Sequence, residues 1–281
     1  MTTKRIPNSC DERGRALELR LEGVRKGFGE HQVIRGVDLE VRAGELLAIV
    51  GGSGCGKTVL MQTIIGHHEP EAGKVLAADH EIEGSPLVEV AALSEEELDR
   101  LRRHWAVVFQ KNALFSGSVL ENIGVWLREI GGFDEEEIRR RAIVALEQVG
   151  FEPDDVLLAK HRDELSGGMA KRVAVARAVA MNPILMIFDE PTTGLDPALG
   201  AQIHELILEL HRQELPGGAT RTTLIISHDK DLLWRLRPRV LMLDRGVVHL
   251  DCTYEEFERS DSAIVRPYFA LMPELHARPV S

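Results

Sequence analysis

Eight consecutive residues, Gly51-Gly52-Ser53-Gly54-Cys55-Gly56-Lys57-Thr58, have the types and spacing of a phosphate-holding loop, G-x-x-x-x-G-K-[ST]. Glycines let the main chain wrap closely around an anion and aim successive N–H groups at its oxygens. The loop follows an apolar run, Glu45–Val50, and opens a helix-like stretch from Lys57 to Ile65. Its donors therefore fall at a helix N-terminus, where a partial positive charge favours an anion. Lys57 is expected to reach the β- and γ-phosphates of a nucleotide, and the Thr58 hydroxyl to bind Mg²⁺. A second run, Ile184-Leu185-Met186-Ile187-Phe188, ends in the acids Asp189 and Glu190. A carboxylate at a buried strand tip beside such a loop suits a Mg²⁺ anchor, the expected role of Asp189. Glu190 is the candidate general base, orienting and polarising an attacking water.

The elements that must position these groups alternate in type. Strand-like segments Leu17–Val24 and Gln32–Val41 flank a turn at Gly27-Phe28-Gly29, and short strands and turns fill Lys74 to Val90. Ser94 with Glu97 forms a capping-box pattern that opens a helix to about Arg103, followed by a buried strand at Trp105–Phe109. Apolar spacings of three and four predict helices over Ser118–Ile130, Asp134–Val149 and Ser166–Met181. Beta character returns at Ile184–Phe188, Thr222–Ile226, Val240–Leu243 and Val247–Leu250, with a helix from Pro197 to about Glu214. This alternation predicts an α/β fold: a mostly parallel sheet, an N-terminal antiparallel β subdomain and an inserted helical subdomain.

Composition narrows the functional classes. The chain has 281 residues, enough for one large domain or two modest ones, and 44% hydrophobic residues, enough for a buried core. No apolar run approaches the roughly 20 residues of a membrane-spanning helix. Lys4 and Arg5 have no apolar stretch behind them, so no signal peptide is read and a cytoplasmic location is expected. A net charge of −11 argues against nucleic acid as a partner. Cys10, Cys55 and Cys252 are too scattered for a disulfide framework or zinc site.

At Leu165-Ser166-Gly167-Gly168-Met169 the chain resembles a known family. The run LSGGMAKRVAVARAVA is similar to the signature segment of ABC ATPases; physically, Ser166 caps a helix, and Gly167 and Gly168 leave bare N–H groups for a second anion. Other positions match the family in order. Gln110 resembles the glutamine loop, which reaches towards Mg²⁺ and the water. Gly194-Leu195-Asp196-Pro197 resembles the loop that communicates across a dimer, His228 the switch histidine at the γ-phosphate, and Phe28 the aromatic stacked on adenine. Val59 completes the nucleotide-contacting set.

The resemblance implies an ATPase that sandwiches two ATP molecules, with Mg²⁺, in a head-to-tail dimer of two copies. Each nucleotide lies between one phosphate loop and the partner's Ser166–Gly168. The further partner is an integral membrane permease, which implies peripheral attachment to the cytoplasmic face of an inner membrane. The domain reading is a flexible arm at 1–15, the ATPase domain at 16–262 with its helical subdomain at about 112–181, and a C-terminal extension at 263–281. Met169 stands where most ABC ATPases have Gln, and a thioether replaces an amide donor there. Together with Gln110–Phe115, Glu121-Asn122-Ile123, Leu127-Arg128-Glu129 and the tail Val265–Ala270, it is similar to the ATPase of Mla-type (MCE-associated) phospholipid transporters. That likeness implies lipid movement between inner and outer membranes, with an MCE-domain substrate-binding subunit and a small cytoplasmic accessory protein as further partners. The stretch Ser116-Gly117-Ser118-Val119-Leu120 departs from that pattern by about a residue, where a coupling helix of the permease is expected to dock. A small-solute importer and a soluble ABC ATPase outside transport are the alternatives.

Overall fold

The computed structural model describes residues 5–8, 10–11, 14–110, 114–215 and 218–266. The first half runs β1 (Arg5–Ile6), β2 (Leu17–Phe28), β3 (His31–Arg42), β4 (Leu46–Val50), α1 (Lys57–Ile64), β5 (Ala72–Ala78), β6 (Leu87–Glu89), α2 (Glu95–Arg102) and β7 (Trp105–Val108). Helices α3 (Val119–Glu129), α4 (Glu135–Gln148), α5 (Asp155–Ala159) and α6 (Gly167–Val179) then precede β8 (Leu185–Asp189). The chain continues through α7 (Pro197–Arg212), β9 (Thr222–Ile226), α8 (Lys230–Leu236), β10 (Arg239–Asp244), β11 (Val247–Cys252) and α9 (Tyr254–Arg259).

Two sheets result. One is antiparallel in the order β1-β6-β5-β2-β3; the other is ordered β11-β10-β4-β9-β8-β7 and parallel except at its β11 edge. The central strands bury both faces, so they read as continuous apolar runs. On β4, Ala48 and Val50 face one apolar cluster, while Leu47 and Ile49 face another. Met186 and Phe188 against Leu185 and Ile187 repeat the alternation on β8. The first cluster runs without a break from Phe188 and Ile225 into Ile123 and Leu146 of the inserted helices, so that block has no separate apolar core. The second joins the parallel sheet to α1 and the antiparallel sheet.

Several expectations need correction. The segment read as a loose arm is paired at Arg5 and Ile6 with Val88 and Leu87. Asn8 fastens it further, donating to the Leu17 and Ser85 carbonyls and accepting from Leu17 N. Phe28 is the last residue of β2 and the turn falls at Gly29–Glu30, because β2 and β3 stay paired out to Phe28 and His31. Phe109 lies beyond β7 and is exposed. Helices α5, α8 and α9 were missed: at five to seven residues, an apolar period has no room to show. The boundary drawn after residue 262 cuts through packed structure, since Val265 is fully buried in the first cluster. Most of the tail pattern, residues 267–270, lies outside the described residues, as do 111–113 of the Gln110–Phe115 pattern. Cys10, Cys55 and Cys252 are free thiols.

Candidate nucleotide site

Strand β4 delivers the chain into the glycine loop at Gly51, whose φ is +151°. A Cβ there would stand 2.3 Å from the Leu243 carbonyl oxygen and 2.6 Å from Cys55 Sγ, so no larger residue fits. Lys57 Nζ reaches back across the loop, donating to the carbonyls of Gly51 at 2.7 Å and Gly52 at 3.1 Å. Gly52, Ser53, Gly54 and Thr58 are exposed, Cys55 and Gly56 are buried, and Val59 is half-buried. Gly56 opens α1 in the left-handed region at φ 109° and supplies no side-chain cap. Among the described α-helices, α1 alone lacks one; the others are capped by Ser94, Ser118, Asp134, Asp154, Ser166, Asp196, Asp229 and Thr253. Its first-turn N–H groups are left for a ligand.

The acidic and histidine residues reach the same edge because the parallel strands are in register. Ile49 pairs with Ile226, Ile226 with Asp189, and Val108 with Phe188. The positions just past β4, β9, β8 and β7 therefore form a row: the glycine loop, His228, Glu190 and Gln110. Glu190 has φ +47°, an unfavourable conformation for a non-glycine residue, held by its N–H donating to Ile226 O at 2.8 Å. His228 Nδ1 lies 2.8 Å from Glu190 Oε1 and 2.7 Å from Oε2. A carboxylate offers no proton, so Nδ1 is the donor. Asp189 is buried and its Oδ1 has no partner. Burial, and then the charge of Glu190, pushes its carboxyl above the usual range. Lys171, buried on α6, donates to Gln110 O at 3.4 Å, while Gln110 is itself exposed.

Other expected residues stand apart from this row. Ser166 accepts from Met169 N at 3.3 Å and starts α6, while Gly168 packs so tightly that a Cβ would come 3.0 Å from Leu199 Cδ2. Ser166 and Gly167 face solvent. Asp196 caps α7, Oδ1 accepting from Ala198 N and Leu199 N, both at 3.0 Å. Phe28 is half-exposed, with the His68 ring edge-on to it at 5.3 Å between centroids.

The family model described as "ABC transporter" matches residues 34–193. The chain belongs to the ABC transporter family. It is 32% identical over 241 residues to the histidine transport ATP-binding protein HisP of Pseudomonas aeruginosa, covering 85% of this chain and 91% of that protein. It is 33% identical over 251 residues to the probable ribonucleotide transport ATP-binding protein mkl of Mycobacterium leprae, covering 89% and 68%. Among solved structures, the dimeric post-hydrolysis state of the ATP-binding cassette MJ0796 with ADP and Pi has a TM-score of 0.70 at 29% identity, covering 84% of this chain and 98% of that one. The ABC cassette fold, with its antiparallel β subdomain and helical insert, is thereby shown, and this member is an ATP-binding ATPase.

Two features of this ABC ATPase escaped the sequence reading. Beside Glu190 and His228 lies a half-buried junction: Asp229 Oδ2 accepts from Thr192 Oγ1 at 2.7 Å and lies 3.0 Å from His204 Nε2. Burial alone would raise the Asp229 carboxyl; the hydrogen bonds from His204 and Thr192 outweigh it and hold it near about 2. Only a histidine among the core-facing positions Ile203, Leu206, Ile207 and Leu210 of α7 could have pointed there. The second is a cavity of about 470 Å³ next to the end of β7, lined by Phe109, Phe115, Trp126, Arg102, Arg103 and Arg177. Asn122 shapes its rim, Oδ1 accepting from Phe115 N at 2.7 Å and Nδ2 donating to Phe115 O at 3.2 Å.

Proposed function

We propose that this chain binds MgATP at the row of strand ends around Gly51–Val59, hydrolyses it with Glu190 as base, and drives an integral membrane permease. The observation that carries this reading is the uncapped start of α1 beside the hydrogen-bonded Glu190–His228 pair. Main-chain N–H groups of the loop and Lys57 hold the phosphates, and Phe28 stacks on the base. Glu190 takes the proton of the attacking water at its carboxylate while His228, in the loop that follows the next strand, holds that carboxylate in place and reaches the γ-phosphate. A magnesium ion suits the donors present: hard oxygens from the Thr58 hydroxyl, the unpartnered Asp189 Oδ1 and the Gln110 amide, with nucleotide and water completing the set. When bound it neutralises charge on the phosphates.

Ser166 and Gly167 stand exposed on a different element, which supports a role of Ser166–Gly168 towards the nucleotide of a second copy, with Asp196 at the same boundary. The aromatic and arginine-lined cavity beside Phe115 and Gln110 is suited to a coupling helix of the permease. Among the described residues no helix is long and apolar enough to cross a membrane. In this reading the chain sits at the cytoplasmic face of an inner membrane, attached through that partner. For cargo, Met169, the Glu121-Asn122-Ile123 and Leu127-Arg128-Glu129 patterns and the Asn122-braced rim support phospholipid transport of the Mla type, with an MCE-domain subunit and an accessory protein. A small-solute importer is the second reading, favoured by the likeness to a histidine transport protein.

Glu190→Gln tests the hydrolytic assignment: turnover should fall about 100-fold or more while ATP binding persists and closed dimers accumulate. Turnover near wild type would remove Glu190 as base. Mass spectrometry of the detergent-purified complex tests the cargo. Enriched phospholipid is expected, and ATPase stimulation by an amino acid without bound lipid would favour the second reading.

A further inference from the structure

We infer that His204 is a positioning residue for hydrolysis: through Asp229 and Thr192 it locks the switch loop of His228 to helix α7. The residue sits on the core-facing stripe of α7, eight positions after Asp196, or about 12 Å along the helix. Nothing in an apolar stripe calls for a histidine, and burying an imidazole costs free energy unless it is hydrogen-bonded. Its Nε2 lies 3.0 Å from Asp229 Oδ2, and its Nδ1 is buried without a partner. The form that fits is the neutral ring with Nε2–H donating, since an imidazolium would bury an unpaired N–H.

Asp229 is the hub of the junction. Oδ1 accepts from Asp231 N at 2.9 Å and Leu232 N at 3.2 Å, capping α8, and Asp229 N donates to Ser227 Oγ at 3.0 Å. Those bonds are local. The two donors to Oδ2, His204 and Thr192, come from elsewhere in the chain and fix where the switch loop lies. His228 immediately precedes Asp229, and Thr192 follows Glu190 by two residues, so two bridges join the same pair of loops. The outer one, His228 to Glu190, leaves the His228 side chain 54% exposed. A half-exposed pair holds its geometry only as well as the backbone behind it, and that backbone is set by the inner bridge, whose His204 end is buried. Because α7 begins at the Gly194–Pro197 loop, His204 also ties the pair to the segment assigned above to a second copy.

The inference rests on the assignment of Glu190 and His228 to hydrolysis. It is tested with the full chain by steady-state MgATP hydrolysis and thermal melting of His204→Leu, His204→Gln and His228→Ala. His204→Leu fills the same space but leaves Asp229 Oδ2 short of a donor. It should lower kcat about tenfold with KM for ATP within about twofold, because the phosphate loop on β4 is untouched. His204→Gln, whose Nε2 can take the place of the ring Nε2, should recover kcat to within about twofold of wild type. A core-packing role alone would lower the melting temperature of both variants and spare kcat in each. Wild-type kcat in His204→Leu, or equal losses in the Leu and Gln variants, overturns the inference. Should His204→Leu melt below the assay temperature, His204→Asn serves: its amide falls short of Asp229, so kcat must drop there while Gln retains it. Wild-type turnover in His228→Ala would instead remove the catalytic assignment. An inactive His228→Ala beside an unaffected His204→Leu overturns this inference alone.

Discussion

Two helix starts in this molecule handle their unsatisfied N–H groups in opposite ways. At α6, Ser166 turns its own hydroxyl onto Met169 N, so the segment is complete while it stands exposed. At α1, Gly56 offers no side chain, the preceding loop is mostly glycine, and the first-turn donors wait for an external acceptor. Glycine in place of a side-chain cap costs roughly a few tenths of a kcal/mol, which a bound phosphate reverses through charge-assisted hydrogen bonds. A self-capped start can be presented to a second copy before any nucleotide arrives. An uncapped start binds within its own chain and is completed only by its ligand.

The contrast can be broken at either end. The largest effect is expected from Lys57→Ala: ATP affinity should fall by roughly 30- to 100-fold, on the order of 2–3 kcal/mol, in equilibrium binding. Unchanged binding would remove the uncapped start as the nucleotide site. Next, MgATP at about 100 times its Kd should stabilise the wild-type chain by about 2.7 kcal/mol, raising Tm by about 5 °C or more. The same addition should do little for Lys57→Ala, and an equal shift in both would place the ligand elsewhere. Ser166→Ala should cost about 1 kcal/mol of stability in denaturant melts. It should also lower turnover while leaving nucleotide affinity of the isolated chain within about twofold. A loss of affinity as large as that of Lys57→Ala would erase the distinction between the two starts. Smallest is Met169→Gln, which adds an amide at an already capped helix; a change in turnover beyond about threefold would mean that the side chain meets nucleotide directly.

Legibility followed range along the chain. The glycine loop, the Asp189-Glu190 strand tip and the capping box at Ser94 are local patterns, and each is where it was expected. The turn near Phe28 was misplaced by about a residue, because strand pairing sets its position. β1 was invisible: two residues have no period, and only the β6 edge makes them a strand. Asn122 reads as an ordinary helical residue until its amide is seen bracing Phe115.

The sequence by itself determined the chemistry at hand: a glycine loop with Lys57 and Thr58, an acid pair at a strand tip, a serine-capped glycine pair, and buried strands to carry them. Those features depend on residue types at fixed short spacings, which the covalent chain imposes. Only the tertiary structure decided that His228 meets Glu190, that Asp229 gathers His204 and Thr192, and that Asp189 keeps an oxygen unpartnered. Those contacts depend on strand order and register across the parallel sheet, which loop closure and two-sided burial select and no local spacing records.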